Sequence, residues 1–325
     1  MADPTSIDIT DTLNVSWMSA FSSGPVPGGP NVVAIGGGHG LAAALQAARR
    51  YAGSVTAIVS VADDGGSSGR LRRTLGVAPP GDLRKAIGAL AAEGSIWPGV
   101  LEHRFESGEL EGHALGNLVL VGLAEALGSI AAACAEAARI VNAVGSVFPA
   151  TTEAVTLRAE IGGSEVDGQV AIQQAAPTGR VRDVRVVPEG ASASAGALGA
   201  IMEADQVLIG PGSLYTSLVA AAVVPEIRTA IALSAARVIQ IANLACEDPE
   251  TTGLDGTDHL LAVLEHQVRV DTLLYDRQAP LAVNEGYVFE HGVMPVGADL
   301  GASDHTSPAA RHDPDLLAKA LADLL

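Results

Sequence analysis

The chain has 325 residues, 48 % of them hydrophobic and only 17 % charged, with 37 glycines and 3 % aromatic rings. That apolar content suffices for a packed core and excludes a disordered chain, and the length suits one large or two modest domains. A formal charge of −18 argues against nucleic acid as a partner unless the few cations are gathered in one place.

Between Arg49 and Lys85 seven cations face three acids, a local charge of +4, and such an island fits a small anion better than a nucleic-acid track. Mean hydropathy is +0.31. The long apolar stretches 12–48 and 206–225 are interrupted at Gly36–Gly40 and Gly210–Ser213, so neither is a spanning helix and no membrane insertion is expected. Cys134 and Cys246 lie far apart without metal spacing, which argues against a disulfide framework or a zinc site.

Residues 1–30 read as a flexible N-terminal arm without the basic and apolar regions of a secretory signal, and the cytoplasm is the expected location. Val32–Ile35 reads as a strand, followed by a glycine turn, an Ala/Leu helix over Leu41–Tyr51 and a second strand over Val55–Val61. Continuous apolar strands alternating with helices predict a parallel sheet covered on both faces. Helices are expected at Asp82–Ala92, with Asp82 as N-cap, at Leu115–Leu127 and at Ile130–Ala143. Thr156–Ile161, the Gly162-Gly163 turn and Val181–Val187 predict short strands and a hairpin, a β elaboration over about 151–190. Alternation then resumes with a helix near Ser194–Ala204, strands at Gln206–Ile209, Val238–Ala242 and Thr272–Tyr275, and a helix over Thr257–Gln267. The expected architecture is a Rossmann-like three-layer α/β fold over 31–297, with a mainly parallel sheet and a small β insertion. A tail with a short helix follows over 298–325.

In open α/β sheets ligands sit at the carboxyl ends of strands, where backbone N–H groups face anions. Gly36-Gly37-Gly38-His39-Gly40 follows the first strand and could admit a phosphate, although tight βα turns need glycine in any case. Asp63-Asp64-Gly65-Gly66-Ser67-Ser68-Gly69-Arg70 ends the second strand. Its two acids could hold a ribose or a divalent cation such as Mg²⁺, and its hydroxyls and Arg70 suit a phosphate. Asp82 reads either as a plain N-cap or as a contact to a substrate hydroxyl. His113 and Asn117 stand four apart, on one face if both are helical. His113 is the candidate base or phosphate donor, with a structural histidine as the alternative. Gly212, Ser213, Tyr215 and Thr216 lie in the turn after Ile209 and offer backbone donors, hydroxyls and a ring, and Asn243 closes the next strand.

These segments, in this order, resemble the gluconeogenesis factor (YvcK) family within the CofD-like, 2-phospho-L-lactate transferase-like superfamily. The match is carried by Gly36–Leu41, Val61–Leu71, Pro79–Arg84, Gly112–Asn117, Pro149–Thr151 and Gly210–Ser217, with Asn243 and Asp258-His259 extending it. The resemblance implies a cytoplasmic protein that binds UDP-glucose or UDP-N-acetylglucosamine and is needed for cell shape and peptidoglycan growth on gluconeogenic carbon. A homo-oligomer is expected, with no reaction firmly attached to that branch. The transferase branch, which moves phospholactate from a guanosine diphosphate donor to a deazaflavin with a divalent cation, is the alternative. An NAD-binding oxidoreductase, supported only by the βαβ opening, is the third. Gly65–Arg70 favours the YvcK side. The sequence departs from the family at His39, where Thr is usual, and at Glu247–Thr251, where Gln-x-Gly-Glu-Thr is common.

Overall fold

The computed structural model describes residues 25–247, 249–301 and 311–325; residues 1–24 of the expected arm and 302–310 of the expected tail lie outside it. Ten strands are present among the described residues: β1 (Asn31–Gly36), β2 (Ser54–Val59), β3 (Ser146–Pro149), β4 (Thr156–Ile161), β5 (Ser164–Asp167), β6 (Val181–Val187), β7 (Gln206–Ile209), β8 (Arg237–Ile241), β9 (Thr272–Asp276) and β10 (Met294–Ala298). Seven of them form one sheet in the order β10-β9-β8-β7-β1-β2-β3, parallel throughout.

The reason is visible in β1 and β7. Val32 to Ile35 and Val207 to Ile209 are apolar at consecutive positions and buried on both faces, which a parallel sheet between two helical layers satisfies. The expected β elaboration is a separate antiparallel sheet, β5-β4-β6, whose β4–β5 hairpin turns at Gly162 and Gly163. Both glycines have positive φ, 59° and 82°, as a two-residue hairpin loop twisted to match its strands requires.

The first helices are α1 (Gly38–Ala48), α2 (Gly66–Leu75), α3 (Gly81–Leu90), α4 (Trp97–Glu102), α5 (Leu115–Leu127) and α6 (Ile130–Ile140). They are followed by α7 (Gln169–Ala175), α8 (Ala195–Met202), α9 (Ala220–Ala222, continuing a wide-turned helical segment Leu214–Val219), α10 (Pro225–Leu233), α11 (Gly256–Glu265), α12 (Glu285–Glu290) and α13 (Pro314–Ala322). The alanines of α1 let it lie close between the sheet, α3 and α13, with Ala44, Leu45, Ala47 and Ala48 fully buried. No single helix among the described residues is long and apolar enough to cross a membrane.

Several expectations are corrected. Ser67–Arg70, read as a loop after the second strand, lies in helix α2 (Gly66–Leu75): its glycines and serines are poor helix formers, and tertiary bonds hold it instead, Ser68 Oγ accepting from Gly81 N at 3.1 Å. Asp82 is not the N-cap of α3; Pro80 is, and Asp82 sits in the first turn. His113 precedes α5, so it does not share a helical face with Asn117. Strands β3 and β10 and helices α7 and α12 were not anticipated. Each has seven residues or fewer, too few for a periodic pattern to show.

Candidate functional site

β1 is the strand at which the chain order reverses, with β2 and β3 to one side and β7 to β10 on the other. That is where an open α/β sheet leaves a crevice beyond its carboxyl ends. A cleft of about 380 Å³ lies there, within the range of roughly 300–1,000 Å³ typical of small-molecule sites. Its floor is made by the turns after three adjacent strands: Gly37, Gly38 and Gly40 after β1, Pro211, Gly212 and Ser213 after β7, and Asn243 to Glu247 after β8.

These turns are close enough that side chains would collide. A Cβ on Gly40 would run into the Pro211 carbonyl group, and one on Gly37 would meet the Asp82 carboxylate and Ser217 Oγ. Glycine is therefore needed here for approach, and Gly38 needs it also for its φ of 68°. Asn243 locks the second turn: its Oδ1 accepts from Gly212 N at 2.9 Å and its Nδ2 donates to Gly212 O at 3.0 Å.

The walls carry the charge. From β2, Asp63 enters the cleft, with Oδ1 accepting from Gly65 N at 2.9 Å. Burial raises its pKa above the usual carboxylate value and the Asp82 charge adds to this, against bonds from Gly65 and Ser68 and the Lys85 charge. From α3 come Asp82 and Lys85, an ion pair at 3.1 Å one helical turn apart. From beyond β10 come Arg311 and His312, with His312 Nε2 3.1 Å from Ala242 O. Burial holds the pKa of His312 near 4, so it is neutral at pH 7. His39 at the rim is also pressed below the usual histidine value, by desolvation first and the Lys85 charge next. Glu247 shares the cleft with Arg311, and burial raises its pKa.

Of the residues singled out from the sequence, Gly37, Gly38, His39, Asp63, Asp82, Gly212, Ser213 and Asn243 line this cleft. The others do not. Asp64 turns away from Asp63 and accepts Val170 N at 3.0 Å, holding the start of α7. No group of three or more metal-ligating side chains gathers among the described residues. Tyr215 and Thr216 are buried, and their backbone N–H groups are already taken by a carboxylate of the chain itself. Glu250 Oε1 accepts from Tyr215 N at 2.6 Å and Thr216 N at 3.0 Å, and Oε2 accepts from Thr216 Oγ1 at 2.7 Å.

Ser67, Ser68, Arg70, His113 and Asn117 stand around α2, outside the cleft lining. The cationic island is dispersed as well. Arg49 holds the Ala89 and Ala91 carbonyls, Arg72 holds Val155 O, Arg84 pairs with Glu102 at 2.9 Å, and only Lys85 reaches the cleft. Ser217, within the Gly210–Ser217 turn singled out from the sequence, also lines the cleft, whereas sequence reasoning missed Lys85, Gln169, Glu247, Arg311 and His312 as cleft residues. The position of Lys85 three residues after Asp82 was a usable signal; Arg311 offered none.

A glycine-floored, charge-walled cleft at the switch point of a parallel sheet marks a Rossmann-like α/β protein with a candidate small-molecule site. The family model described as 2-phospho-L-lactate transferase CofD matches residues 32–311. A Mycobacterium leprae protein provisionally named a gluconeogenesis factor is 42 % identical over 307 residues, covering 90 % of this chain and 85 % of the relative. The gluconeogenesis factor of Bacillus subtilis is 33 % identical over 314 residues, covering 91 % and 98 %. The crystal structure of a UPF0052 family protein from Bacillus halodurans superposes with a TM-score of 0.85 at 35 % identity, covering 90 % of this chain and 99 % of that one. The chain belongs to the gluconeogenesis factor (YvcK) family within the CofD-like superfamily.

Proposed function

We propose that the protein is a cytoplasmic nucleotide-sugar-binding regulator, a gluconeogenesis factor that takes UDP-glucose or UDP-N-acetylglucosamine in the switch-point cleft. Its output is the control of cell shape and peptidoglycan growth under gluconeogenic conditions. The observation that carries this reading is the pairing of close-approach glycine turns with Lys85 and Arg311 on the walls of one cleft. Backbone N–H groups and two cations together suit a diphosphate.

Asp63 and Asp82 also face the cleft, and burial first, then the Asp82 charge, raises the Asp63 pKa. A Mg²⁺ ion bridging to the diphosphate fits those two carboxylates better than Asp63 with Asp64, which points to α7. Such an ion would neutralise phosphate charge.

The transferase reading relies on His113 as a base, and His113 is bonded to Ser67 rather than lining the cleft. The nicotinamide reading relies on a βαβ opening that the superfamily shares.

Thermal unfolding with UDP-sugars, GDP, a deazaflavin acceptor and NAD tests the proposal. A hundredfold excess over Kd contributes about 2.7 kcal/mol, and that stabilisation is expected from UDP-sugars alone. Stabilisation by GDP and deazaflavin but not by UDP-sugars would replace this reading with the transferase one.

A further inference from the structure

The residues around α2 that the cleft does not use form a directed hydrogen-bond chain. Arg84, buried, can only donate: its NH2 group bonds Glu102 Oε2 at 2.9 Å and its NH1 group bonds Asn117 Oδ1 at 3.2 Å. Asn117 therefore presents its amide to the next member, and Nδ2 donates to Ser67 Oγ at 3.1 Å. Ser67 is buried, and the acceptor its own hydroxyl proton meets among the described residues is His113 Nδ1, 3.0 Å away. Nδ1 thus accepts, and the proton of the neutral imidazole is carried on Nε2. Three buried side chains, Arg84, Asn117 and Ser67, set this tautomer of a half-buried imidazole.

Two guanidinium groups are tied to the backbone that leads into that ring. Arg70 donates to Glu111 O at 3.0 Å and Arg104 to Gly112 O at 2.7 Å, on the two peptides just before His113. Gly112, at φ 75°, leaves room for the Arg70 guanidinium to lie against its Cα. Both arginines are exposed, and among the described residues neither has a carboxylate within 4 Å. In a chain of charge −18 that is an unusual placement. Desolvation, then the Arg70 and Arg104 charges, press the His113 pKa down, and no acid opposes them.

We propose that Arg70, Arg104 and His113 Nε2–H form a second anion site, separate from the cleft, that receives the phosphate group of a small phosphate monoester. Two guanidiniums and one imidazole N–H, all donors, match a dianion with several acceptor oxygens better than a single carboxylate. The site is a receiving one: its histidine is a donor with a fixed tautomer and has no carboxylate to make it a base.

The test follows the side-chain ¹H–¹⁵N signals of His113 and His39, reporters of the two sites, during titration with inorganic phosphate, methyl phosphate and chloride at constant ionic strength. Both phosphates are expected to move His113 along a saturating curve, and chloride is not. Arg104→Gln keeps a donor for Gly112 O but removes the charge. It is expected to weaken the His113 response about tenfold, the loss of one charged hydrogen bond, and to leave His39 unchanged. A His113 response that is linear, shared by chloride or untouched by Arg104→Gln would overturn the proposal. Binding of inorganic phosphate without methyl phosphate would overturn its assignment to a monoester.

Discussion

Asp63 and Asp64 are adjacent in the chain and serve different ends. Asp63 is held in the cleft beside Asp82, where burial raises its pKa. A carboxyl with a raised folded pKa binds its proton more tightly in the fold than in the unfolded chain, so its ionised form opposes folding above that pKa. Asp63→Asn keeps an oxygen for Gly65 N and loses the charge. We expect its stability in urea at pH 7 to equal or slightly exceed wild type, while any Mg²⁺ enhancement of nucleotide-sugar binding is lost. Asp64→Ala frees Val170 N; it is expected to lower stability by about 1 kcal/mol and leave binding within twofold. Loss of binding in Asp64→Ala with retention in Asp63→Asn would reverse the assignment. Both aspartates were legible as candidates, since paired acids after a strand are conspicuous. Which one faces the cleft was not, because it depends on α7, a helix of seven residues more than a hundred positions further on. Arg311 was illegible for the same reason: nothing near it in sequence marks it, and the Gly301–His312 bridge and the His312–Ala242 bond bring its neighbour to the cleft.

At the scale of elements, the helical segment Leu214–Val219 shows how a chain can fill its own anion site. The glycine turn and the exposed backbone donors that follow it suggested phosphate, but Glu250, 5 % exposed, occupies those donors with three bonds shorter than or equal to 3.0 Å. A buried carboxylate at a helix start satisfies orphan N–H groups and the positive end of the dipole. Glu250→Ala is expected to cost about 2–4 kcal/mol in urea unfolding, and Glu250→Gln less, since its oxygen still accepts. An unaffected Glu250→Ala would show that these donors find other partners. The sequence could not reveal the cap, because Glu250 lies 35 residues beyond Tyr215. Helix α2 was hidden differently: Gly66-Ser67-Ser68-Gly69 has loop propensity, and tertiary bonds override it. By contrast β1, α1, β2 and α5 were legible, since long apolar runs and alanine-rich periodicity are set locally.

At the scale of the whole molecule, two imidazoles tie stability to pH. Burial holds His259 and His312 near pKa 4, against about 6.5 unfolded. Between pH 6.5 and 4 the unfolded chain takes up protons that the fold refuses, so stability falls as pH drops through that window, by up to a few kcal/mol. His259 Nε2 is buried without a hydrogen-bond partner among the described residues, so His259→Leu is expected to retain stability at pH 7.5 and to flatten the decline toward pH 5. An identical slope in the variant would place the proton uptake elsewhere.

The parallel sheet, its switch point at β1 and the positions of the glycine turns together support the cleft as the proposed ligand site, and Lys85 and Arg311 on its walls are the reason a diphosphate is proposed for it. Isothermal titration of UDP-N-acetylglucosamine into wild type and Arg311→Ala addresses this directly. Saturable one-site binding in wild type, weakened at least about tenfold by loss of the guanidinium, is expected. No saturable binding of a UDP-sugar, or an affinity that Arg311→Ala leaves intact, would contradict it.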